Sequence, residues 1–340
     1  MKKNQIVFTD VKKAELITEE LPSELAPKQV LIKTSYTTIS CGTERANLMG
    51  DKNTAANDAN STAPLFPKRL GYNCSGVVID VGNEVKHVKI GDRVVGYWSK
   101  HASYNLLNEN NVVKIEYDDI DMQTAAMSFI STFPLAAIRK TKIEVGESGM
   151  VMGLGILGLI AVSLLHVAGA APVIAVDPNK ERREAALKFG ADYVFDPFEK
   201  DFAEKVKAVT GKGVNVAIEV TGVGAGLNEA LDCMAKYGRI ALLGCTRDSH
   251  FEIDYYHKVH YPGIQLIGAH TNARPSQESY PGYYTHVDDI KAVLKLCAMG
   301  RLDLKSMINE VHSPEECAEI YCRLADDKNF PQVVQFKWND

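Results

Sequence analysis

The stretch SGMVMGLGILG, residues 148–158, decides the fold of the second half of the chain. Its apolar start predicts a buried strand, three glycines follow in the spacing G-x-G-x-x-G, and the next run, IAVSLLHVAGA, can form a helix. The first glycine allows a tight turn, the second lets the backbone approach a pyrophosphate, and the third lets helix and strand close up. The helix N-terminus adds amide donors. We therefore predict a dinucleotide site at Gly153, Gly155, Ile156, Leu157 and Gly158.

After this stretch, apolar segments alternate with amphipathic ones. The strand candidates APVIAVD, VNVAIEVTG, GRIALLG and IQLIGAH are separated by helix candidates such as ERREAALKFG and FAEKVKAVTG. Such alternation predicts an α/β fold with a parallel sheet covered by helices on both faces. The later strand ends should reach the other side of the cofactor, which makes Thr221, Gly222, Gly244, Ala269 and His270 candidate contacts.

The second strand candidate ends at Asp177, about 20 residues beyond the last glycine of the motif. At that distance a carboxylate binds the ribose hydroxyls and repels a 2′-phosphate, so the cofactor is predicted to be NAD(H). Arg182 and Arg183 are the reservation, because a nearby arginine can accommodate a phosphate. The alternative for both is a solvated helix face that begins after Asn179 as N-cap.

The earlier part of the chain differs in texture. Between Lys28 and Asp119, short apolar runs (VLIKTSYTTI, GVVIDVG, RVVGYW, ASYNLL) are broken by turn residues, which predicts a barrel-like β domain. The polar segment DKNTAANDANSTA, residues 51–63, is expected to be a mobile surface loop, either a connection or a lid. The last stretch predicts two helices, in DDIKAVLKLCAMG and SPEECAEIYCRLADD, and a final strand, QVVQFKW.

Composition limits the possible functions. A chain of 340 residues suits two domains, and a net charge of −5 offers no basic excess for nucleic acid. The apolar segment Val151–Ala171 is interrupted by glycines and His166, so no membrane span is expected. Seven cysteines without a C-x-x-C pair indicate reduced thiols. The composition predicts a soluble cytoplasmic protein whose partner is a small-molecule substrate.

Several motifs, in the same order, resemble the medium-chain dehydrogenase/reductase family over nearly the whole chain. They are SCGTE (40–44), LGYNCSG (70–76), VKIGDRVVG (88–96), Ser131–Thr132, the glycine motif and VD (176–177). The resemblance implies a GroES-like β-barrel-type catalytic domain (residues 1–125 and 271–340) and a Rossmann domain, a doubly wound parallel sheet (126–270), with the active site between them. It also implies Thr132 as a cofactor contact, and a homodimer or homotetramer formed by sheet edges near GRIALLG and IQLIGAH.

Zinc-using relatives hold their catalytic metal with a cysteine, a histidine, and a third cysteine or glutamate. Carried over by motif, the cysteine is Cys41, but the histidine position holds Tyr72 and the third falls on Ser128. Hydroxyl groups do not replace imidazole and thiolate for Zn²⁺. The four cysteines of the family's structural zinc loop have no counterpart in YWSKHASYNLL. We therefore predict that no metal is bound.

The chemistry expected without zinc still needs a group that stabilises charge on the reacting oxygen. Thr43 matches the family position that relays the substrate proton, and Tyr72 either donates a hydrogen bond there or fills the vacated space. Glu44 either orients the substrate or ribose or is a structural carboxylate paired with Arg45 or another neighbour. Cys41 is expected near the nicotinamide as a remnant of the metal site, with no visible base to activate it.

Residues 251–286 are rich in tyrosine and histidine, which suits a polyhydroxylated substrate or, alternatively, a polar loop or subunit interface. Candidate substrate contacts are Ser128, His257, His260 and Arg274, the last as an anchor for a carboxylate or phosphate. The pair His257-x-x-His260 lacks a nearby cysteine or carboxylate, so it is not predicted to bind metal.

Four functions fit these residues. The first is an NAD(H)-dependent oxidoreductase that transfers hydride to or from a hydroxyl or carbonyl of a polar, sugar- or cyclitol-like substrate without zinc. In a variant of it, the hydride returns to the same substrate after elimination or epimerisation. The third is a zinc-free NAD(P)H-dependent C=C reductase of the quinone or enoyl type. The fourth is a non-catalytic dinucleotide-binding protein.

Overall fold

A computed structural model describes residues 1–51, 54, 65–246 and 249–339 of the chain. The predicted mobile loop at 51–63 lies almost wholly outside these residues. The chain divides into two compact units. The first unit comprises Met1–Ile130 and Ile290–Asp340, and the second comprises Ser131–Asp289.

The elements of both units are numbered along the chain. The strands are β1 (Lys2–Asp10), β2 (Lys13–Glu20), β3 (Gln29–Thr38), β4 (Asn73–Val81), β5 (Arg93–Tyr97), β6 (Tyr104–Asn108), β7 (Val112–Lys114), β8 (Gly149–Met152), β9 (Val173–Val176), β10 (Tyr193–Phe195), β11 (Val214–Glu219), β12 (Met234–Leu242), β13 (Gln265–Gly268), β14 (Glu310–His312) and β15 (Val334–Lys337). The helices are α1 (Cys41–Leu48), α2 (Met122–Ala125), α3 (Ser128–Thr141), α4 (Ile156–Val167), α5 (Lys180–Lys188), α6 (Phe202–Thr210), α7 (Gly224–Asp232), α8 (His286–Ala298) and α9 (Cys317–Asp326), with a π-helical turn at Tyr256–His260.

The first unit is built on a mostly antiparallel sheet in the order β14-β15-β3-β4-β5-β7, with β6 also paired to β3. Alternating residues of its strands, such as Val30, Ile32 and Val78, turn to one core. The hairpin of β1 and β2, which the sequence analysis did not predict, packs with α1 and α9 around a second core that includes Phe8 and Tyr321. The predicted β-rich domain is confirmed.

The second unit has a six-stranded parallel sheet in the order β10-β9-β8-β11-β12-β13. Counted within the unit this is 3-2-1-4-5-6, the order of a doubly wound dinucleotide-binding sheet. Strands β8 and β9 are buried at every residue, as expected for strands covered on both faces. The segment Val151–Ala171 supplies the end of β8 and all of α4. Across the described residues, we find no helix with the length and apolar character needed to cross a membrane.

The second unit begins at Ser131, and the chain returns to the first unit at Ile290. The boundaries expected from the sequence are 126 and 271. The later boundary moves because polar contacts attach residues 271–289 to α3. Arg274 and Arg139 both pair with Asp289, and Lys140 donates to the carbonyl oxygens of Gly268 and Ala273 at 3.0 and 2.5 Å. The hydrophobic pattern of a sequence does not reveal such ion pairs.

Candidate functional site

The glycine turn after β8 has the geometry that its three glycines predict. Gly153 has a φ of +96°, which favours glycine, and a methyl group on Gly158 would lie 1.9 Å from the carbonyl oxygen of Gly153. A methyl group on Gly155 would meet no protein atom within 4 Å. The turn is therefore tightly packed at Gly158, whereas free space lies beside Gly155. Ile156 and Leu157 follow Gly155 as the first residues of α4. This arrangement fits a pyrophosphate.

Asp177 lies directly beside this turn. Its buried carboxylate accepts the N–H of Leu154 through Oδ2 and that of Asn179 through Oδ1, both at 2.8 Å. Arg182 approaches it at 3.9 Å, and Arg183 donates to the carbonyl oxygen of Asp177 at 2.7 Å. The acid thus stands where the sequence analysis expected a ribose ligand, and both arginines are engaged at the end of the same strand.

Asn179 caps α5 as predicted, since its side chain accepts the N–H of Arg182 at 3.1 Å. Arg183 also pairs with Asp196 at 3.2 Å. Arg183 is therefore a partly buried residue tied to the next strand end rather than part of a solvated helix face.

The turns after β11 and β12 lie against each other. The buried Glu219 accepts the N–H of Thr221 at 2.8 Å and that of Gly222 at 3.2 Å, and burial raises the pKa of its carboxyl. A methyl group on Gly244 would lie 2.3 Å from the nitrogen of Gly222. These contacts place Thr221, Gly222 and Gly244 together at the carboxyl edge of the sheet. The sequence analysis gave Glu219 no role, yet it anchors the turn.

The remaining cofactor candidates lie at two places in the second unit. Ala269 is buried and continues the ladder beyond β13 by donating to Leu242 at 3.1 Å, whereas His270 is exposed. The hydroxyl of Thr132 lies 3.2 Å from Nδ1 of His286. Burial, reinforced by Arg274, lowers the pKa of His286 to about 3, so this imidazole is neutral at ordinary pH. His286 was not singled out by the sequence analysis.

Arg274 does not present its guanidinium to a ligand. Nε donates to Thr271, Nη1 to Asp289 and Nη2 to the carbonyl oxygen of Thr132, at 3.0, 3.0 and 2.9 Å. The side chain is almost fully buried. The expectation of a substrate anchor is therefore corrected: the buried Asp289 needs a cationic partner, and Arg274 fulfils that role.

His257 and His260 lie on the exposed π-helical turn. His257 pairs with Asp254 at 2.9 Å and its side chain is 73% exposed, while His260 stacks on Tyr255 with ring centroids 5.9 Å apart. No group of three or more His, Cys, Asp or Glu side chains that could hold a metal occurs in the described part of the chain.

In the first unit, three hydroxyl groups meet where α1 begins. The Tyr72 hydroxyl donates to Oγ of Ser40, and the side chain of Thr43 also hydrogen-bonds Tyr72. The Tyr72 ring packs edge-on against Trp98 and Phe129, with centroids 6.0 and 5.9 Å away. Burial raises the pKa of Tyr72 well above its usual range, so the phenol is protonated. We call Ser40, Thr43 and Tyr72 the hydroxyl cluster.

Beneath this cluster lies the buried carboxylate of Glu44. It accepts the N–H of Ser40 at 2.8 Å, approaches Nε2 of His101 at 3.1 Å, and accepts the Tyr321 hydroxyl at 2.5 Å. Burial opposes ionisation, but His101 and the other two donors outweigh it and lower the pKa of Glu44. Glu44 is therefore a buried, internally paired carboxylate. Its partners are these groups and not Arg45, which donates to the carbonyl oxygen of Ala325.

The position of the family's catalytic zinc offers a poor set of donors. Sγ of Cys41 lies 3.8 Å from the carbonyl oxygens of Pro331 and Gln332. Ser128 is fully buried, and its hydroxyl donates to the carbonyl oxygen of Ala125 at 2.7 Å, so the predicted substrate contact is also corrected. One thiol and two neutral hydroxyls, both used within the protein, do not fit Zn²⁺.

Two protein-family models match the chain. The model described as an alcohol dehydrogenase GroES-like domain matches residues 26–132, and the one described as a zinc-binding dehydrogenase matches residues 157–288. The first model matches the β-rich part of the chain and the second matches the part with the parallel sheet, in the order that the motifs predicted.

Similar proteins include an L-threonine 3-dehydrogenase of Pyrococcus furiosus, 28% identical over 283 residues that cover 75% of this chain and 79% of the relative. A D-guloside 3-dehydrogenase of Escherichia coli is 27% identical over 261 residues, covering 76% and 74%. Among solved structures, a zinc-binding dehydrogenase of Sinorhizobium meliloti bound to NADP has a TM-score of 0.81 at 19% identity, over 99% of both chains. The chain belongs to the medium-chain dehydrogenase/reductase family, as an alcohol dehydrogenase/reductase.

Proposed function

We propose that this protein transfers a hydride between NAD(H) and a hydroxyl or carbonyl group of a polar, sugar-like substrate, without a catalytic zinc ion. The observation that carries the proposal is the hydroxyl cluster, in which Tyr72 stands at the histidine position of the zinc site and is bonded to Ser40 and Thr43. Because Tyr72 and Ser128 offer neutral hydroxyl groups, already hydrogen-bonded within the protein, at the positions where zinc-using relatives have metal ligands, we infer hydrogen bonding in place of metal coordination.

Bound NAD would supply or accept the hydride. The chain contributes a turn that is open at Gly155 and an acid, Asp177, beside it. A carboxylate there accepts hydrogen bonds from the ribose 2′- and 3′-hydroxyls and repels a 2′-phosphate, which supports NAD(H) over NADP(H). Arg182 and Arg183 support this choice too, because both are already engaged around Asp177.

The reacting oxygen gains negative charge when a carbonyl is reduced, and donors aimed at that charge lower the barrier. We assign the contact to the hydroxyl of Thr43, which can accept a hydrogen bond from an alcohol and, when its proton turns away from Tyr72, donate one to a carbonyl. Tyr72 supports Thr43 through their mutual hydrogen bond. Removing one such donor typically costs about 100-fold in kcat.

The substrate class rests on two relatives, which are named for the oxidation of a guloside and of threonine. Both substrates are secondary alcohols surrounded by further polar groups. The internal use of Arg274 argues against a phosphate or carboxylate anchor at that residue, so we favour a neutral polyol or glycoside.

Three measurements on the purified protein test the proposal. Elemental analysis should find far less than one zinc per chain, and fluorescence titration should give tighter binding of NADH than of NADPH. A screen with NAD⁺ should then find oxidation of glycosides, sorbitol or inositol in preference to threonine. Stoichiometric zinc would overturn the metal-free part of the proposal. Preferential NADPH-dependent reduction of 2-cyclohexenone would instead establish a C=C reductase.

A further inference from the structure

We propose that Ser40, His101 and Tyr321 are positioning residues for Tyr72: Ser40 accepts the Tyr72 hydroxyl directly, whereas His101 and Tyr321 hold the buried carboxylate of Glu44, which in turn holds Ser40. The role of these residues in hydride transfer rests on the proposed function. Their arrangement around Tyr72 can be tested separately from activity.

Within the hydroxyl cluster, Ser40 is the residue that contacts the carboxylate of Glu44. It occupies the N-cap position of α1, yet its side chain makes no capping hydrogen bond to the helix. Its Oγ instead accepts the Tyr72 hydroxyl, and its backbone N–H donates to Glu44 at 2.8 Å. Glu44, one turn into α1, reaches back to the first residue before the helix. Movement of the carboxylate would therefore move the acceptor of Tyr72.

His101 and Tyr321 hold the carboxylate from two directions. Both side chains are buried, and they come from positions 57 and 277 residues away in sequence. Nδ1 of His101 lies 2.7 Å from Oγ1 of Thr37, which also accepts the indole N–H of Trp338 at 2.9 Å. Because both ring nitrogens of His101 are engaged, the ring cannot turn without losing a buried hydrogen bond.

A charge buried without partners would be expensive, and this set of donors removes that penalty for Glu44. The negative charge that Glu44 retains also acts on Tyr72 in the hydroxyl cluster. After burial itself, Glu44 and Cys41 are the titratable groups that raise the pKa of Tyr72, while Ser40 and Thr43 act in the opposite direction. The charge of Glu44 therefore disfavours ionisation of the phenol further, and its hydrogen bond to the Ser40 N–H holds the acceptor of the phenol in place.

A double-mutant cycle tests the dependence on Tyr72. The variants are Ser40→Ala, Tyr72→Phe and the combination, assayed by NAD⁺-dependent oxidation of sorbitol and NADH-dependent reduction of fructose. Each single variant should lower kcat about tenfold with little change in KM. If Ser40 acts through Tyr72, the combination should be no slower than Tyr72→Phe alone. Multiplication of the two losses would overturn the inference.

A second measurement does not need a substrate. In protein labelled with [13Cζ]tyrosine, the Tyr72 resonance is identified as the one that Tyr72→Phe removes. In Glu44→Gln the chemical shift of this resonance should change at neutral pH, because a nearby negative charge is lost and Ser40, which accepts the Tyr72 hydroxyl, loses a charged partner. Tyr97 is the internal reference, since its hydroxyl donates to the carbonyl oxygen of Asn110 at 2.5 Å. An unchanged chemical shift of Tyr72 would overturn the inference.

If Glu44→Gln does not fold, Ser40→Ala serves in its place. Loss of the acceptor should shift the Tyr72 resonance and leave that of Tyr97 unchanged, whereas two unmoved resonances would contradict the positioning role. Failure of the unsubstituted protein to oxidise or reduce any sugar would reject the proposed function. The resonance measurement would still decide whether these residues position Tyr72.

Discussion

Asp177 and Leu154 are joined by a hydrogen bond of 2.8 Å from the backbone N–H of Leu154 to the Asp177 carboxylate, across 23 residues of sequence. The acid at the end of β9 thus holds the second residue of the glycine turn, between Gly153 and Gly155. One carboxylate therefore shapes the turn and also stands where a ribose would be bound. Cofactor affinity and the local structure of the turn should consequently depend on the same side chain.

Replacing Asp177 by Asn should weaken NADH binding about tenfold, because a charge-assisted hydrogen bond to the ribose becomes a neutral one. NADPH binding should fall less or improve, because the substitution removes the repulsion of the 2′-phosphate. Fluorescence titration with each dinucleotide measures both effects.

Asp192→Asn is the matched control for Asp177. Its carboxylate also accepts a backbone N–H, that of Val173 at 2.7 Å, but at the opposite end of β9. It should lower thermal stability by a similar amount without changing NADH affinity. An equal loss of affinity in both variants would mean that Asp177 acts only through the stability of the sheet.

Gly155 and Gly158 should respond differently to the same substitution. Gly155 has φ −68° and ψ −170°, which alanine can adopt, and a methyl group there would meet no protein atom. Gly155→Ala should therefore keep the melting temperature but weaken dinucleotide binding at least tenfold, because the methyl group takes up the space of the pyrophosphate. Isothermal titration with NADH and a thermal melt measure the two effects.

Gly158→Ala should instead destabilise the fold. Its methyl group would lie 1.9 Å from the Gly153 carbonyl oxygen, so α4 and β8 must separate. Such overpacking costs about 1–3 kcal/mol, which lowers the melting temperature by several degrees. Unchanged melting temperatures in both variants would contradict the close packing described at the turn.

The sequence predicted much of this structure because each unit follows a strong local pattern. Alternating strand and helix signals identified the parallel sheet, and the glycine spacing located the tight turn between β8 and α4. The motifs around Cys41 and Tyr72 identified the family and directed attention to α1. These are contacts between residues close in sequence, or patterns repeated along one element.

The features that the sequence did not reveal depend on pairs of distant residues. Glu44 meets Tyr321 only after α9 packs against α1 within the first unit, and Arg274 meets Asp289 only after residues 271–289 fold against α3. Nothing in the local sequence distinguishes an arginine that binds a substrate anion from one that neutralises a buried aspartate. The same limit explains why Ser128, a hydroxyl residue at a zinc-ligand position, was interpreted as a substrate contact.

His286 should make the protein less stable as the pH falls below about 6.5. Its pKa is lowered to about 3 in the folded state by burial and Arg274, whereas an unfolded histidine has a pKa near 6.5. The unfolded chain therefore binds a proton first, and its preference grows as the pH falls through this window. His286→Gln should remove on the order of 1 kcal/mol of the decrease between pH 6.5 and 5, measured by urea unfolding.

The pKa of His312 is shifted in the opposite direction to that of His286, so its effect on stability has the opposite dependence on pH. Although burial opposes it, hydrogen bonds with Glu310 and Glu316 raise the pKa of His312, so its stabilising contribution is present at low pH and lost as the pH rises through the raised value. His312→Gln should therefore abolish a loss of stability that the unsubstituted protein shows as the pH rises from about 6.5 through the raised pKa. The same change in slope for both variants would show that the pH dependence comes from other groups.

The edge of the parallel sheet should form a contact between two copies of the chain. Strand β13 is the last strand in the order of the described sheet, and Leu266 on it is 39% exposed, so an apolar side chain is presented at a strand edge. Such an edge is normally covered, and antiparallel pairing with a second β13 would cover it symmetrically. We expect a dimer by light scattering, converted largely to monomer by Leu266→Lys.

Val311→Lys is the matched control, since Val311 is 40% exposed on the short edge strand β14 and should leave the dimer intact. A monomeric unsubstituted protein, or dissociation by both variants alike, would contradict the assignment of the contact to β13.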